Sequence, residues 1–171
     1  MNSTTRRLAA VTGTGAAAVA ALIVPAATGS AQPPVCAAET LNLNILQLDP
    51  PTEGQNRLTV VLTNKSAQSC VVQGFPSAEL VGPEDPAFGP TYQLPRQEAG
   101  FAPVLVEPGA AARSELTYLA GGPDGWVPAT LVVTPPDTTT PMRAPWPAGL
   151  SVQRQDAATH PGTFVGPLRP V

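Results

Sequence analysis

Leu41-Asn42-Leu43-Asn44-Ile45, then Asp49-Pro50-Pro51-Thr52-Glu53-Gly54, then Leu58-Thr59-Val60-Val61-Leu62-Thr63-Asn64: these three pieces decide how the chain reads. Leu41, Leu43 and Ile45 alternate with asparagines, and Leu58, Val60 and Leu62 alternate in the third piece. A period of two puts successive side chains on opposite faces of a half-buried strand. The middle piece is dense in Pro, Asp and Gly, which favour tight backbone conformations. Two strands joined by such a loop predict an antiparallel hairpin, ending at the turn Asn64-Lys65-Ser66.

Outward from the hairpin, short apolar runs keep recurring between turn residues. Strands are expected over 70–73, 78–81, 91–94, 104–107, 112–119, 130–134, 150–153 and 163–165. Gly74-Phe75-Pro76, Gly82-Pro83, Pro95, Pro108-Gly109 and Pro135-Pro136 end them. Beyond the N-terminal stretch, no window of a dozen residues both lacks Pro and Gly and shows a helical apolar period. The pattern is all-β, with about seven to eight strands in two antiparallel stacked sheets. The last dozen residues and residues 32–34 carry little apolar signal and are expected to be loose.

The first 31 residues read differently. Arg6 and Arg7 precede a long Ala-, Val- and Leu-rich stretch, and Thr28-Gly29-Ser30-Ala31 supplies small residues for a cut after Ala31. Charged start, apolar middle and small-residue end make a secretory signal. A retained membrane anchor is the competing reading; the stretch is only weakly apolar and is broken by Pro25. Arg6-Arg7 hints at twin-arginine export, although Ala9 stands where a bulky apolar residue is usual. Pro33-Pro34-Val35 before Cys36 does not suit a lipid anchor. The expected organisation is a signal peptide over 1–31 and one exported domain over 32–171.

Residues 32–171 number 140, carrying seven basic and twelve acidic side chains, a net charge of −5. That balance suits neither nucleic acid nor anionic lipid as a partner. No stable membrane insertion is expected once the signal is removed. Pro and Gly together make about 24% of this stretch, just under the level that signals low complexity. Low charge and clear apolar runs favour a fold instead.

Candidate chemistry is sparse. Cys36 precedes the first hairpin strand and Cys70 follows the second, so an antiparallel hairpin brings the two toward one end. The register is open, because a slip of one residue changes faces. A bond closing about 35 residues would contribute about 4 kcal/mol by restricting the unfolded chain. Free thiols or a metal pair compete, but two Cys without neighbouring His are too few ligands for zinc. His160, the only histidine, lies near Asp156 in the polar segment 153–162, which reads as a solvated loop. No Gly-x-Ser-x-Gly elbow is present. Glu84, Asp85 and Asp124 could serve glycan hydrolysis if they converged; each reads more simply as a turn acid. Trp126 and Trp146 flank turns, where aromatics can stack on sugars or anchor a partner; a core role is the simpler reading. Asn64-Lys65-Ser66 fits a glycosylation triplet and is read as a turn. No catalytic residue, metal site or cofactor is assigned.

Ser69-Cys70-Val71-Val72-Gln73-Gly74-Phe75-Pro76-Ser77-Ala78-Glu79-Leu80 resembles the Cys-x-x-x-Gly-aromatic-Pro core of a secreted actinobacterial family, domain of unknown function 4232. Residues 58–64 look like the strand and Asn turn before that core. Residues 104–112 look like its later Pro-Gly segment, and Cys36 matches its first cysteine. The resemblance implies an immunoglobulin-like β-sandwich, export and a Cys36–Cys70 bridge, with no known activity or cofactor. It also implies, in many members, a second cysteine pair in the C-terminal third. This chain lacks both; Trp126 and residues 150–153 stand near where they would fall. Three functional expectations follow: a non-enzymatic binding or structural module of the cell envelope or extracellular space, meeting an envelope protein or polysaccharide; a carbohydrate-binding module using Trp126 and Trp146; or a hydrolase of envelope glycans.

Overall fold

A computed structural model describes residues 32–171 of the chain. The signal-peptide expectation falls on residues 1–31, outside the described residues.

The hairpin forms, and the structure fixes the register that the sequence leaves open. Strand β1 (Leu41–Leu46) pairs antiparallel with β2 (Gln55–Asn64), Leu41 opposite Asn64 and Leu46 opposite Thr59. Leu58, Val60 and Leu62 are fully buried on one face of β2. The other edge of β2 pairs over nine residues with β7 (Ala111–Leu119), from Gln55 opposite Leu119 to Thr63 opposite Ala111. Two short strands, β10 (Phe164–Val165) and β11 (Arg169–Pro170), complete this sheet on the far side of β7.

The inner face of that sheet is covered by two smaller sheets. One has the order β5-β4-β8-β9, built from β4 (Ser77–Val81), β5 (Thr91–Gln93), β8 (Thr130–Thr134) and β9 (Met142–Pro145). The other is a ribbon of β3 (Cys70–Val72) and β6 (Val104–Val106). The turn Gly74-Phe75-Pro76 separates β3 from β4. Gly74 adopts φ +92°, a backbone region open to glycine and strained for other residues, and Pro76 stands just outside β4. Pro108-Gly109 forms the expected type II turn: Gly109 has φ +78° and the Ala110 N–H donates to the Glu107 carbonyl.

Two apolar clusters result. The larger gathers Leu58, Val60, Leu80, Tyr92, Leu116, Tyr118, Leu131 and Trp146 beneath the four-stranded sheet. The smaller gathers Leu41, Leu62, Val72, Val104, Val106, Ala112 and Leu168 around the Cys36–Cys70 bond. The molecule is an all-β antiparallel sandwich, as the alternation predicts, and it has the immunoglobulin-like form that the resemblance implies.

Three expectations change. Strand β9 replaces the one expected over 150–153, where only Val152 makes isolated bridges, to Ala120 and Trp126. Met142-Arg143-Ala144-Pro145 hides its signal because only Ala144 is buried and Pro145 ends an edge strand. The C-terminus is tied down rather than loose. Thr163, Val165 and Leu168 are buried, the Leu168 N–H donates to Gly74 O, and Ser114 Oγ donates to Gly166 O. Residues 32–34 are exposed, yet Pro34 O accepts from the Val71 N–H and so joins the edge of β3.

Candidate functional site

The cysteines expected to meet do so: Cys36 and Cys70 are bonded, with Cα atoms 4.9 Å apart. The reason is local. Cys36 N donates to Val71 O and Val71 N to Pro34 O, so the chain before β1 lies parallel to β3 and presents Cys36 to Cys70. Cys36 is fully buried and Cys70 nearly so, which marks the bond as structural rather than reactive.

Asn64 shows why its triplet is a turn. It is fully buried; its Nδ2 donates to Gln68 O and Val106 O, and its Oδ1 accepts from Ser66 N and Oγ. A side chain so engaged has no atom left to carry a glycan.

The acids stay apart as turn residues. Asp85 Oδ1 accepts from the Ala87 and Phe88 N–H groups, and Asp124 sits in the turn closed by Gly125 N on Gly122 O. The five clefts at Gln47–Tyr118, Thr59–Arg169, Pro51–Ser151, Val35–Thr140 and Pro95–Phe164 are lined by none of Glu84, Asp85 and Asp124. His160 is exposed and its Nδ1 lies 3.2 Å from Thr159 Oγ1, while Asp156 is held by Arg154. No His–Asp couple forms.

The tryptophans separate. Trp146 is 5% exposed, stands edge-on to Tyr118 at 5.4 Å and donates from Nε1 to Leu150 O. It is a core residue, which corrects the reading of it as a ligand contact. Trp126 is half-buried, donates to Pro83 O, and has the Arg154 guanidinium 4.8 Å from its ring centroid. Gly82 packs on the same indole so closely that a Cβ there would lie 2.8 Å from Cζ2. Both rings are engaged by their own chain, Trp146 in the core and Trp126 against Gly82 and Arg154.

Arg154 is the residue that sequence reasoning missed. Its side chain is 3% exposed. Its guanidinium pairs with both Asp156 carboxylate oxygens and donates to the Phe88, Gly89 and Thr91 carbonyls. It also lies 5.2 Å from the Phe88 ring centroid and 5.5 Å from that of Tyr92. A buried cation is tolerable only when paired and fully hydrogen-bonded, and Arg154 meets both conditions. Beneath it, the Tyr92 hydroxyl is buried without a hydrogen bond; the Gln155 backbone and Thr163 hydroxyl face it without completing one. Burial first, and the Asp156 carboxylate second, raise its pKa above the usual tyrosine value. The faint sequence signal was Arg154-x-Asp156 within a turn-rich segment.

One surface differs from the rest. On the β3–β6 ribbon, Val35, Val71 and Leu105 lie abreast: Val35 bridges Val71, and Val71 is the register partner of Leu105. Cys70, Val72, Val104 and Val106 point inward and are buried, so the three face outward. Val35 is 50% exposed and Leu105 52%. Beside the ribbon, Phe75 and Phe101 meet edge to face at 5.7 Å, with Phe101 itself 52% exposed. Val71 and the neighbouring side chains form an apolar patch on a disulfide-clamped sheet. The legible signal was the uninterrupted run Val104-Leu105-Val106, which puts apolar side chains on both faces of a strand.

The sequence matches a protein family described as a domain of unknown function (DUF4232) over residues 36–164. No curated protein and no solved structure matches the chain. No helix among the described residues is long and apolar enough to cross a membrane.

Proposed function

The chain belongs to that family of unknown function, and from this premise we propose that it is an exported, non-enzymatic module that works by binding a protein in the cell envelope or outside the cell. One observation carries the reading: the apolar patch of Val35, Val71 and Leu105 on a ribbon that the Cys36–Cys70 bond holds in place. Exposed apolar side chains grouped on a rigid element are the usual mark of an interaction surface. The buried disulfide supports export, since such bonds persist in oxidising compartments. The signal-like residues 1–31 support it independently.

The test is a photo-reactive amino acid at position 105 in the intact producing organism, with position 57, on the outer face of the large sheet, as control. A discrete adduct from position 105, absent from position 57, is the expected result. Equal labelling from both positions, or no adduct from position 105, would count against a binding face on the ribbon.

A further inference from the structure

The apolar patch does not end at Val35. The same residue lines a cleft of about 340 Å³ with Ala37, Glu39, Asp137 and Thr138–Thr140. Val35 therefore stands between an apolar ridge and an acidic cleft. Resting on the binding reading above, we propose that this composite face docks an extended segment of a partner protein in which apolar side chains neighbour lysine or arginine.

The charge argument is specific. Glu39 and Asp137 are exposed. Among the described residues the two ion pairs are Arg57–Glu115 and Arg154–Asp156. Neither uses a cleft carboxylate, and no Lys or Arg lines the cleft. A net charge of −5 over 32–171 adds a field of the same sign. Such a surface attracts basic segments and rejects acidic ones, giving specificity and a faster encounter. The apolar ridge supplies desolvation energy that charge alone does not.

The cleft wall is also held in shape. Asp137 follows Pro135-Pro136 with φ 58°, a conformation Asp tolerates better than most residues. The Thr138 hydroxyl donates to Pro135 O, fixing the loop against the proline pair. Addition of a partner strand to β6 is disfavoured. On the β3 side the ribbon's edge is already taken, the Val71 N–H donating to Pro34 O and the Val71 C=O accepting from Cys36 N. On the β6 side, prolines at 103 and 108 leave only a short edge. Recognition is therefore led by side chains: apolar groups over Val71 and Leu105, a cation at Glu39 and Asp137.

Two synthetic hexapeptides test this, one alternating leucine with lysine and one alternating leucine with glutamate, titrated into isotope-labelled, disulfide-bonded protein. The lysine peptide is expected to shift the amides of Val35, Glu39, Val71, Leu105 and Asp137, and to bind about tenfold more tightly than the glutamate peptide. The double substitution Glu39→Lys with Asp137→Lys, both exposed positions, reverses the preference. Leu105→Asp weakens both peptides while leaving the remaining amide shifts in place, which separates lost binding from lost fold. Equal affinity for the two peptides, shifts mapped to another face, or no binding of either would overturn the proposal. If it fails while the adduct at position 105 persists, only the partner's chemistry is wrong. If that adduct is absent as well, the binding module itself falls.

Discussion

The two ends of the sandwich are held by different physics. At one end, Cys36–Cys70 ties the chain before β1 to β3 and encloses a small apolar cluster. At the other, Arg154 gathers the segments around Phe88–Thr91, Trp126 and Asp156 without a covalent bond. Nearby, Trp126 and Val152 meet in an antiparallel bridge, Val152 N donating to Trp126 O. A disulfide acts mainly by restricting the unfolded chain. A buried guanidinium acts only in the folded state, and only while every partner is in place. The covalent end should therefore tolerate local errors in packing that the arginine end cannot.

The largest expected effect breaks the arginine end. Arg154→Ala removes one member of a buried pair and leaves the Phe88, Gly89 and Thr91 carbonyls without this donor. A loss of about 3–5 kcal/mol in unfolding free energy is expected by chemical denaturation; a loss under about 1 kcal/mol would show that the guanidinium is not the lock. Next comes the covalent end. Cys36→Ser with Cys70→Ser should cost about 2–4 kcal/mol, and preserved β-sheet circular dichroism at low temperature would show that the sheets survive it.

A pH titration sharpens the same contrast. Burial raises the pKa of Tyr92 and of Tyr118 above the ordinary value. Their contribution is fully present below the unfolded-state value of about 10 and is lost as pH rises toward the folded-state values. Stability should be flat through neutral pH and fall at strongly alkaline pH, with tyrosinate absorbance appearing together with unfolding. Tyrosinate that forms while the fold is intact would contradict the burial of both rings. The smallest effect belongs to the exposed pair. Arg57 Nε lies 3.5 Å from Glu115 Oε1, with both side chains more than half exposed. Glu115→Gln should change stability by no more than about 1 kcal/mol, and a loss matching that of Arg154→Ala would erase the distinction between buried and exposed pairs.

The same physics explains what could be read in advance. The β1–β2 hairpin was legible because one face is buried and the other wet, and burial on one side writes an alternating pattern. Continuous runs are ambiguous. Leu131-Val132-Val133 and Val104-Leu105-Val106 look alike, yet Val132 is 7% exposed and Leu105 52%. Val132 lies between Glu79 and Arg143 on its face of the sheet, whose stems can cover it; Leu105 has only Val71 beside it. The candidate site was hidden for that reason, since whether an outward apolar residue is covered depends on neighbours distant in the chain. Arg154 was hidden likewise: its acceptors lie more than sixty residues upstream, apart from Asp156.

By itself the sequence determined the all-β class, the first hairpin, the turn at Pro108-Gly109, and the positions available for a disulfide. Each depends on local periodicity or on the conformational preferences of single residues, which act over a few positions. The tertiary structure alone decided which tryptophan lies in the core, that the final residues add strands to β7, that an arginine sits among three rings, and that Val35 joins an apolar ridge to an acidic cleft. These depend on which side chains meet after the chain has folded back on itself, and nothing in a local pattern encodes that meeting.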